Sequence, residues 1–137
     1  MVLTEIKGNL FEHTEGRVPV HCISQDCNMG AGIAVDMKKH YKLGSLIADG
    51  FPDCIYYHGV LNLITKKKYF GKPTYETMQN ALNKLHDIII MNDIHKIAMP
   101  IIGCGLDRLD WNIVSQMIQN TFIDIQNLEI LVCKLGE

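Results

Sequence analysis

Stretches of β-branched, apolar residues alternate along this chain with stretches whose apolar residues recur at helical spacing, and few architectures accept that alternation. Val18-Pro19-Val20-His21-Cys22-Ile23 reads as a buried strand bounded by Arg17 and Ser24. Thr4-Glu5-Ile6-Lys7 begins as a shorter strand and stops at Gly8-Asn9. Residues 54–65 have the form of a hairpin, with Ile55-Tyr56-Tyr57 and Val60-Leu61-Asn62-Leu63-Ile64 turning at His58-Gly59. Ile97-Ala98-Met99 is a strand that ends at Pro100, and Glu129-Ile130-Leu131-Val132-Cys133 is a last one. Between the strands, the second half of residues 31–39 reads as a helix. A long helix starts at Thr74 and puts Met78, Ala81, Leu82, Leu85, Ile88 and Ile89 on one face. Thr74 is placed to cap it, and Glu76 suits its positive end. Asp110 caps a third helix, whose expected apolar stripe is Ile113, Val114, Met117, Ile118 and Phe122. This order of elements calls for an α/β fold, a sheet covered on both faces as an α/β/α sandwich. At 137 residues the chain reads as one domain, 1–137, without repeats or linkers. A chain of that length buries about two-thirds of its unfolded surface and needs neither disulfides nor a structural metal.

Charge and cysteine usage narrow the functional classes. Thirteen Lys+Arg against fifteen Asp+Glu give a net charge of -2. That balance argues against a nucleic-acid partner held by bulk electrostatics, with a local basic patch left open. Glu5, Lys7 and Gly8 arrive before any apolar run long enough for a signal peptide. The uncharged stretch of residues 54–65 contains His58, Gly59 and Asn62 and is too short to span a bilayer, so no membrane partner is expected. Cys22, Cys27, Cys54, Cys104 and Cys133 are odd in number and lack both a disulfide framework and zinc-ligand spacing. Reduced thiols in a cytoplasmic or nuclear protein, with no bound metal, are the expectation.

In open α/β sheets, ligands sit beyond the carboxyl ends of strands. Two loops of that kind carry glycines: Gly30-Ala31-Gly32 ahead of Ile33-Ala34-Val35, and Gly103-Cys104-Gly105 ahead of the helix at Trp111. Glycines there let backbone N–H groups approach an anion, helped by the helix dipole, and two such loops suggest a diphosphate. Tight turns are the plain alternative. No Gly-Lys-Ser/Thr follows either loop and neither is G-x-G-x-x-G, which disfavours an ordinary ATPase or nicotinamide dehydrogenase. Lys66-Lys67-Lys68, taken alone, is a solvated loop after a strand, and alternation lets only one of Lys66 and Lys67 enter a cleft. Asp107 alone is equally a turn residue. His21 reads as a buried, hydrogen-bonded histidine, and Trp111 and Phe122 as core. Cys104 has no histidine placed to activate it and reads as a small packing residue.

Lys7-Gly8-Asn9-Leu10-Phe11, the run from His21-Cys22-Ile23-Ser24 through Asp26-Cys27-Asn28-Met29-Gly30-Ala31-Gly32-Ile33-Ala34, Leu63-Ile64-Thr65-Lys66-Lys67, Lys72-Pro73-Thr74-Tyr75-Glu76 and Met99-Pro100-Ile101-Ile102-Gly103-Cys104-Gly105-Leu106-Asp107-Arg108-Leu109 occur in this order. Together they resemble the macro domain of the terminal ADP-ribose protein glycohydrolase type over nearly the whole chain. The resemblance implies a three-layer α/β/α macro domain with a central mixed sheet and ADP-ribose in a cleft between the two loops. Ligand contacts then fall at Asn9, which reads the adenine, and at Leu10, Ser24, Met29, Gly30, Ala31, Gly32, Ile33, Ala34, Thr65, Ile102, Gly103, Cys104, Gly105, Leu106 and Leu135. The working pair maps onto Lys66 and Asp107, with no metal and no organic cofactor. The implied activity is hydrolytic removal of ADP-ribose from glutamate and aspartate side chains of modified proteins, and deacylation of O-acyl-ADP-ribose. Partners are ADP-ribose and ADP-ribosylated proteins, met by a monomer.

The chemistry of the pair fits independently. A lysine attacks an anomeric carbon only when part of it is neutral, which flanking lysines and desolvation favour and a carboxylate opposes. Asp107 can orient the amine and move protons. The rival readings are a module that binds ADP-ribose without cleaving it, a phosphatase acting on ADP-ribose 1″-phosphate, and removal of ADP-ribose from nucleic acid. Three positions depart from the family pattern. Asn9 stands where an aspartate is common and keeps an acceptor while losing the charge; Cys133 stands where an aromatic packs by the adenine. Residues 42–51 are shorter, which suggests a more open cleft.

Overall fold

The two glycine loops owe their position to the order in which the strands pair. In the computed structural model, which describes residues 1–48, 50 and 53–135, these strands are β1 (Val2–Lys7), β2 (Val18–Ser24), β3 (Cys54–Tyr57), β4 (Val60–Lys66), β5 (Lys96–Met99) and β6 (Glu129–Lys134). They form one sheet in the order β1-β6-β5-β2-β4-β3. Every neighbouring pair is parallel except β3 with β4, so the sheet is mixed. The antiparallel pair is the expected hairpin: His58 and Gly59 both hold positive φ, as a tight two-residue turn between twisted strands requires. β1 begins two residues ahead of the sequence reading, because its pairing with β6 starts at Val2 opposite Glu129.

Three helices cover the sheet: α1 (Ile33–Tyr41), α2 (Tyr75–Met91) and α3 (Trp111–Phe122). Val20, Leu61 and Leu63 on one face pack under the stripes of α2 and α3, with Met78, Leu82, Leu85, Ile118 and Phe122 fully buried. Ile23, Val60, Ile64 and Ala98 on the other face meet Met37 of α1, together with Leu10, Leu43 and Leu46. The two clusters make the three layers that the alternation of elements called for. No helix among the described residues is long and apolar enough to cross a membrane.

Local chemistry explains the helix starts. Thr74 and Thr77 cap α2 reciprocally, each side chain bonded to the other's backbone N–H. Asp110 accepts from Asn112 N at 2.9 Å and caps α3. One stripe residue is corrected: Ile113 is exposed, and Ser115 is buried instead. At 100° per residue Ile113 lies roughly 140° from the centre of the buried Val114–Ile118–Phe122 row, so it faces away from the sheet. Trp111 is half-buried against the core, with Nε1 donating to Glu5 Oε1 at 3.2 Å, and Phe122 is core as expected.

His21 is fully buried beside its register partner Asn62, with Nε2 and Asn62 Oδ1 2.6 Å apart. Asn62 Nδ2 donates to the carbonyls of Ile55 and Val60, which fixes the amide with its oxygen toward the histidine. Burial pulls His21 down to about 4 despite that bond, so the ring is neutral at physiological pH. Of the segment expected to open the cleft, Asp49 and Phe51 lie outside the described residues, while Leu43, Leu46 and Ala48 are buried on the α1 side.

Candidate functional site: two loops and a lysine–aspartate pair

β2 and β5 are neighbours, so the loops that leave their carboxyl ends emerge side by side. They touch. A Cβ built on Gly32 comes within 3.2 Å of Leu106 Cδ1. Gly32 holds φ 62° and ψ −152°, a region open essentially to glycine alone. Gly103, at φ 72°, lies so close to α2 that a Cβ there meets Met78 Cε at 2.6 Å.

The loops differ in what they offer an anion. No side chain caps α1, and the N–H groups of Gly30, Ala31 and Gly32 find no acceptor among the described residues. A helix start left in that state presents donors and the positive end of its dipole. The N-terminus of α3, by contrast, is already held by the Asp110 carboxylate. What the second loop offers is the free N–H groups of Gly105, Leu106 and Asp107, because those of Cys104, Arg108 and Leu109 bond within the loop.

Lys66 enters from the end of β4, which lies beside β2. The register shifts there: Ile23 faces Ile64, but Ser24 faces Lys66, so Thr65 is an inserted bulge residue. Bulges re-aim the side chains that follow them. Lys66 Nζ reaches Asp107 Oδ1 at 2.7 Å, and both side chains are 16% exposed. Of the three consecutive lysines only Lys66 is partly enclosed, and Lys67 and Lys68 face solvent.

Asp26, which sequence reasoning passed over, organises the approach to this pair. Its carboxylate accepts from Ser24 Oγ, from Asn28 N at 3.1 Å and from Tyr69 N at 3.0 Å, tying the β2–α1 loop to the segment after Lys66. Burial alone raises this carboxyl, but those three bonds outweigh it and hold it below the usual carboxylate range. The Asp26-Cys27-Asn28 spacing, with the aspartate accepting from the N–H two residues on, was the available signal. Two thiols border the pair. Burial, and then the Asp107 charge, push Cys22 up; burial and Asp110 push Cys104 up to about 11. Cys104 Sγ points at the Ile102 carbonyl, 3.3 Å away, as a protonated packing group.

At the far end of the cleft Asn9 is already employed: its Oδ1 accepts from Phe11 N at 3.0 Å and caps the short turn Leu10–Glu12. Asn9 lines a hollow of about 540 Å³ with Phe11, Asp36, Lys39 and His40. The Phe11 ring lies 5.1 Å from that of His40 and 6.4 Å from that of Tyr41. Cys133 is buried in the α1-side core, so aromatic surface at this end comes from Phe11 and His40. Leu135 is exposed just past β6, where Lys134 O accepts from Gly8 N at 2.8 Å. The side chains of Leu10, Ser24, Met29, Thr65 and Ile102 are buried beneath the loops, whereas Gly30, Ala31, Gly32, Gly105 and Leu106 are exposed and Ile33, Ala34 and Cys104 half-buried. A separate hollow of about 530 Å³ lies between α2 and α3. His86 there bonds Asp124 at 2.9 Å, and neither glycine loop contributes to it.

A scan against protein-family models finds no match. The chain is 41% identical over 134 residues to human ADP-ribose glycohydrolase OARD1, covering 88% of this chain and 84% of that protein, and 40% identical over 134 residues to its Bos taurus counterpart. Among solved structures, the macrodomain of Mycobacterium tuberculosis DarG superposes with a TM-score of 0.83 over 98% of this chain and 99% of its own, at 21% identity. Thermosipho africanus DarTG in complex with ADP-ribose superposes with a TM-score of 0.78 over 100% of this chain and 43% of its own, at 17% identity. These likenesses place the α/β/α architecture among the macrodomains, and the sequence identity over most of both chains goes further: the protein belongs to the OARD1 family of ADP-ribose glycohydrolases.

Proposed function

We propose that the protein hydrolyses ADP-ribose from glutamate and aspartate side chains of modified proteins, and deacylates O-acyl-ADP-ribose, as a single domain. One observation carries the reading: Lys66 Nζ, at the end of β4, and Asp107 Oδ1, in the loop after β5, meet at 2.7 Å where two loops of unpaired N–H groups adjoin. The donors of Gly30, Ala31 and Gly32 at the open start of α1 suit a diphosphate, which leaves the distal ribose facing the pair. The hollow beside Asn9 suits the adenine.

The chemistry uses the chain's own side chains and water. Lys66 passes a proton to Asp107, and the neutral amine attacks C1″ of the distal ribose. A C–N bond forms as the C1″–O bond to the acyl group breaks, and the carboxylate of the modified side chain leaves as an anion. Asp107 releases the first proton to solvent, takes the proton of the water that displaces the amine at C1″ and returns it to that amine, which restores the Lys66 ammonium and the Asp107 carboxylate and frees ADP-ribose. The short Lys66–Asp107 bond provides the proton path for both steps.

The test follows free ADP-ribose released from a glutamate-linked mono-ADP-ribosylated protein. Lys66→Ala and Asp107→Ala are each expected to lose about a hundredfold or more in rate. Both should keep ADP-ribose affinity, since backbone groups hold the phosphates, and the double variant should be little worse than either single one. An ADP-ribose adduct on Lys66, located by mass spectrometry, should accumulate in Asp107→Ala. Substantial release by Lys66→Ala removes the lysine nucleophile and leaves Asp107 with a water. Binding without cleavage makes the protein a reader, and turnover of ADP-ribose 1″-phosphate alone makes it a phosphatase.

A further inference from the structure

The segment that follows Lys66 holds two large aromatic side chains in solvent although its backbone is tied down. Tyr69 N donates to Asp26, Gly71 N donates to Lys68 O at 3.0 Å, and Lys72 Nζ donates to Leu106 O at 3.0 Å. Tyr69 is 56% and Phe70 73% exposed, their rings packed edge-on with centroids 5.3 Å apart. Leu106, whose carbonyl Lys72 grips, is 62% exposed. Scattered apolar side chains on a surface are ordinary, but an anchored aromatic pair beside a third apolar group is the composition of a contact site.

Cations outnumber anions at this rim, where Asp26 is the carboxylate nearest Lys68. Lys67, Lys68 and Lys72 are exposed, and none forms an ion pair among the described residues. The two carboxylates built into the same corner are both engaged, Asp26 by three donors and Asp107 by Lys66. A chain with a net charge of -2 thus carries a local basic and aromatic rim. It also lies where the acyl group must leave: Phe70 follows Lys66 by four residues, which keeps its Cα within about 14 Å of that of Lys66.

We propose that this rim docks the polypeptide of the substrate, selecting an acidic segment with an apolar or aromatic residue beside the modified side chain. The proposal rests on the glycohydrolase reading above and adds to it a choice among protein substrates. Three cations in one short loop match a few carboxylates. A single-stranded nucleic acid would call for a longer basic track than an otherwise acidic chain provides.

The experiment compares Lys67→Glu/Lys68→Glu and Tyr69→Ser/Phe70→Ser with the unaltered protein on three substrates: a glutamate-linked ADP-ribosyl peptide with acidic flanks, the same peptide with neutral flanks, and O-acetyl-ADP-ribose. Both variants should lose about tenfold or more in kcat/KM on the acidic peptide, through KM. The charge variant should lose about tenfold more on the acidic peptide than on the neutral peptide or O-acetyl-ADP-ribose, any loss common to all three reflecting the flanking lysines' effect on Lys66, and the aromatic variant should keep wild-type turnover of O-acetyl-ADP-ribose. Equal losses on O-acetyl-ADP-ribose would show a merely structural effect and overturn the proposal, as would unchanged kinetics on the acidic peptide. If the unaltered protein binds ADP-ribose but cleaves no acyl substrate, the glycohydrolase reading has failed by itself. The rim is then judged by fluorescence anisotropy with the unmodified acidic peptide, whose binding the variants must weaken. Rim-dependent binding of an unmodified single-stranded oligonucleotide, with none of the peptide, would overturn the assignment in favour of nucleic acid.

Discussion

Replacing Gly32 by alanine tests how the β2–α1 loop is held. At φ 62° and ψ −152° an L-residue is strained by about 1–3 kcal/mol. The steric part is small, because the atom that a new Cβ meets, Leu106 Cδ1 at 3.2 Å, belongs to an exposed side chain that is free to swing. Strain therefore decides the outcome, and it has two places to go. If the loop keeps its shape, the fold loses about 1–3 kcal/mol; if the loop relaxes, the N–H groups of residues 30–32 turn away and ADP-ribose affinity falls by about 5- to 150-fold. Urea denaturation and calorimetry with ADP-ribose on the same Gly32→Ala protein should give two losses that together fall within that range. Gly59→Ala, at φ 73° with nothing within 4 Å of its Cβ, supplies the control: strain in a remote hairpin, with no change in binding. Gly32→Glu adds a negative charge and should abolish the 1:1 complex. A Gly32→Ala protein unchanged in both stability and affinity would refute the strain argument, and intact binding by a folded Gly32→Glu would take this loop out of the site.

Two further outcomes probe the ends of the cleft and the core beneath it. Asn9→Ala removes the acceptor for Phe11 N, so it should cost about 0.5–2 kcal/mol of stability as a lost cap. It should also cost roughly 0.5–1.5 kcal/mol of ADP-ribose affinity and narrow the preference over the inosine analogue, and an intact preference in calorimetry would mean that Asn9 does not read the base. His21 should make stability fall in acid: the unfolded histidine takes up a proton near its ordinary pKa of about 6.5, whereas the folded one refuses it until about 4. The folded state keeps its full stability above 6.5 and loses it as the pH drops toward 4, the loss reaching roughly 2–3 kcal/mol near pH 4.5. Urea titrations of the wild type and His21→Gln at about pH 7.5 and about pH 4.5 measure it, and equal acid losses in the two proteins would acquit His21.

Local periodicity was enough to read the α2 stripe, because Met78, Ala81, Leu82, Leu85 and Ile89 need only the helical repeat to share a face. In α3 the same rule misplaced Ile113, since apolar residues stood at overlapping spacings and only packing chose Val114, Ile118 and Phe122. The bulge at Thr65 was illegible: register belongs to two strands at once, and neither β2 nor β4 carries it alone. Lys66 and Asp107, 41 residues apart, were singled out by likeness to a family, and spacing alone left both as ordinary loop residues. The unequal helix starts were half legible, because Asp110 is a capping type, whereas the bareness of α1 follows from Gly32 standing at its N-cap, a position fixed only once the helix start is known.

Pairing of β1 with β6 also sets an order of assembly. Val2 lies opposite Glu129, and Gly8 N bonds Lys134 O, so the earliest strand of this sheet in chain order is held by its latest. At about 5–20 residues per second, β1 waits roughly 6–25 s on the ribosome before its partner exists. By the end of that interval Lys66 and Asp107 have both been synthesised, while the turn that carries Asn9 hangs on an unpaired strand. In translation, then, the Asn9 end of the cleft is finished last, and a ribosome that stalls ahead of Glu129 leaves β1 without a partner and β5 with a bare edge for another chain to fill.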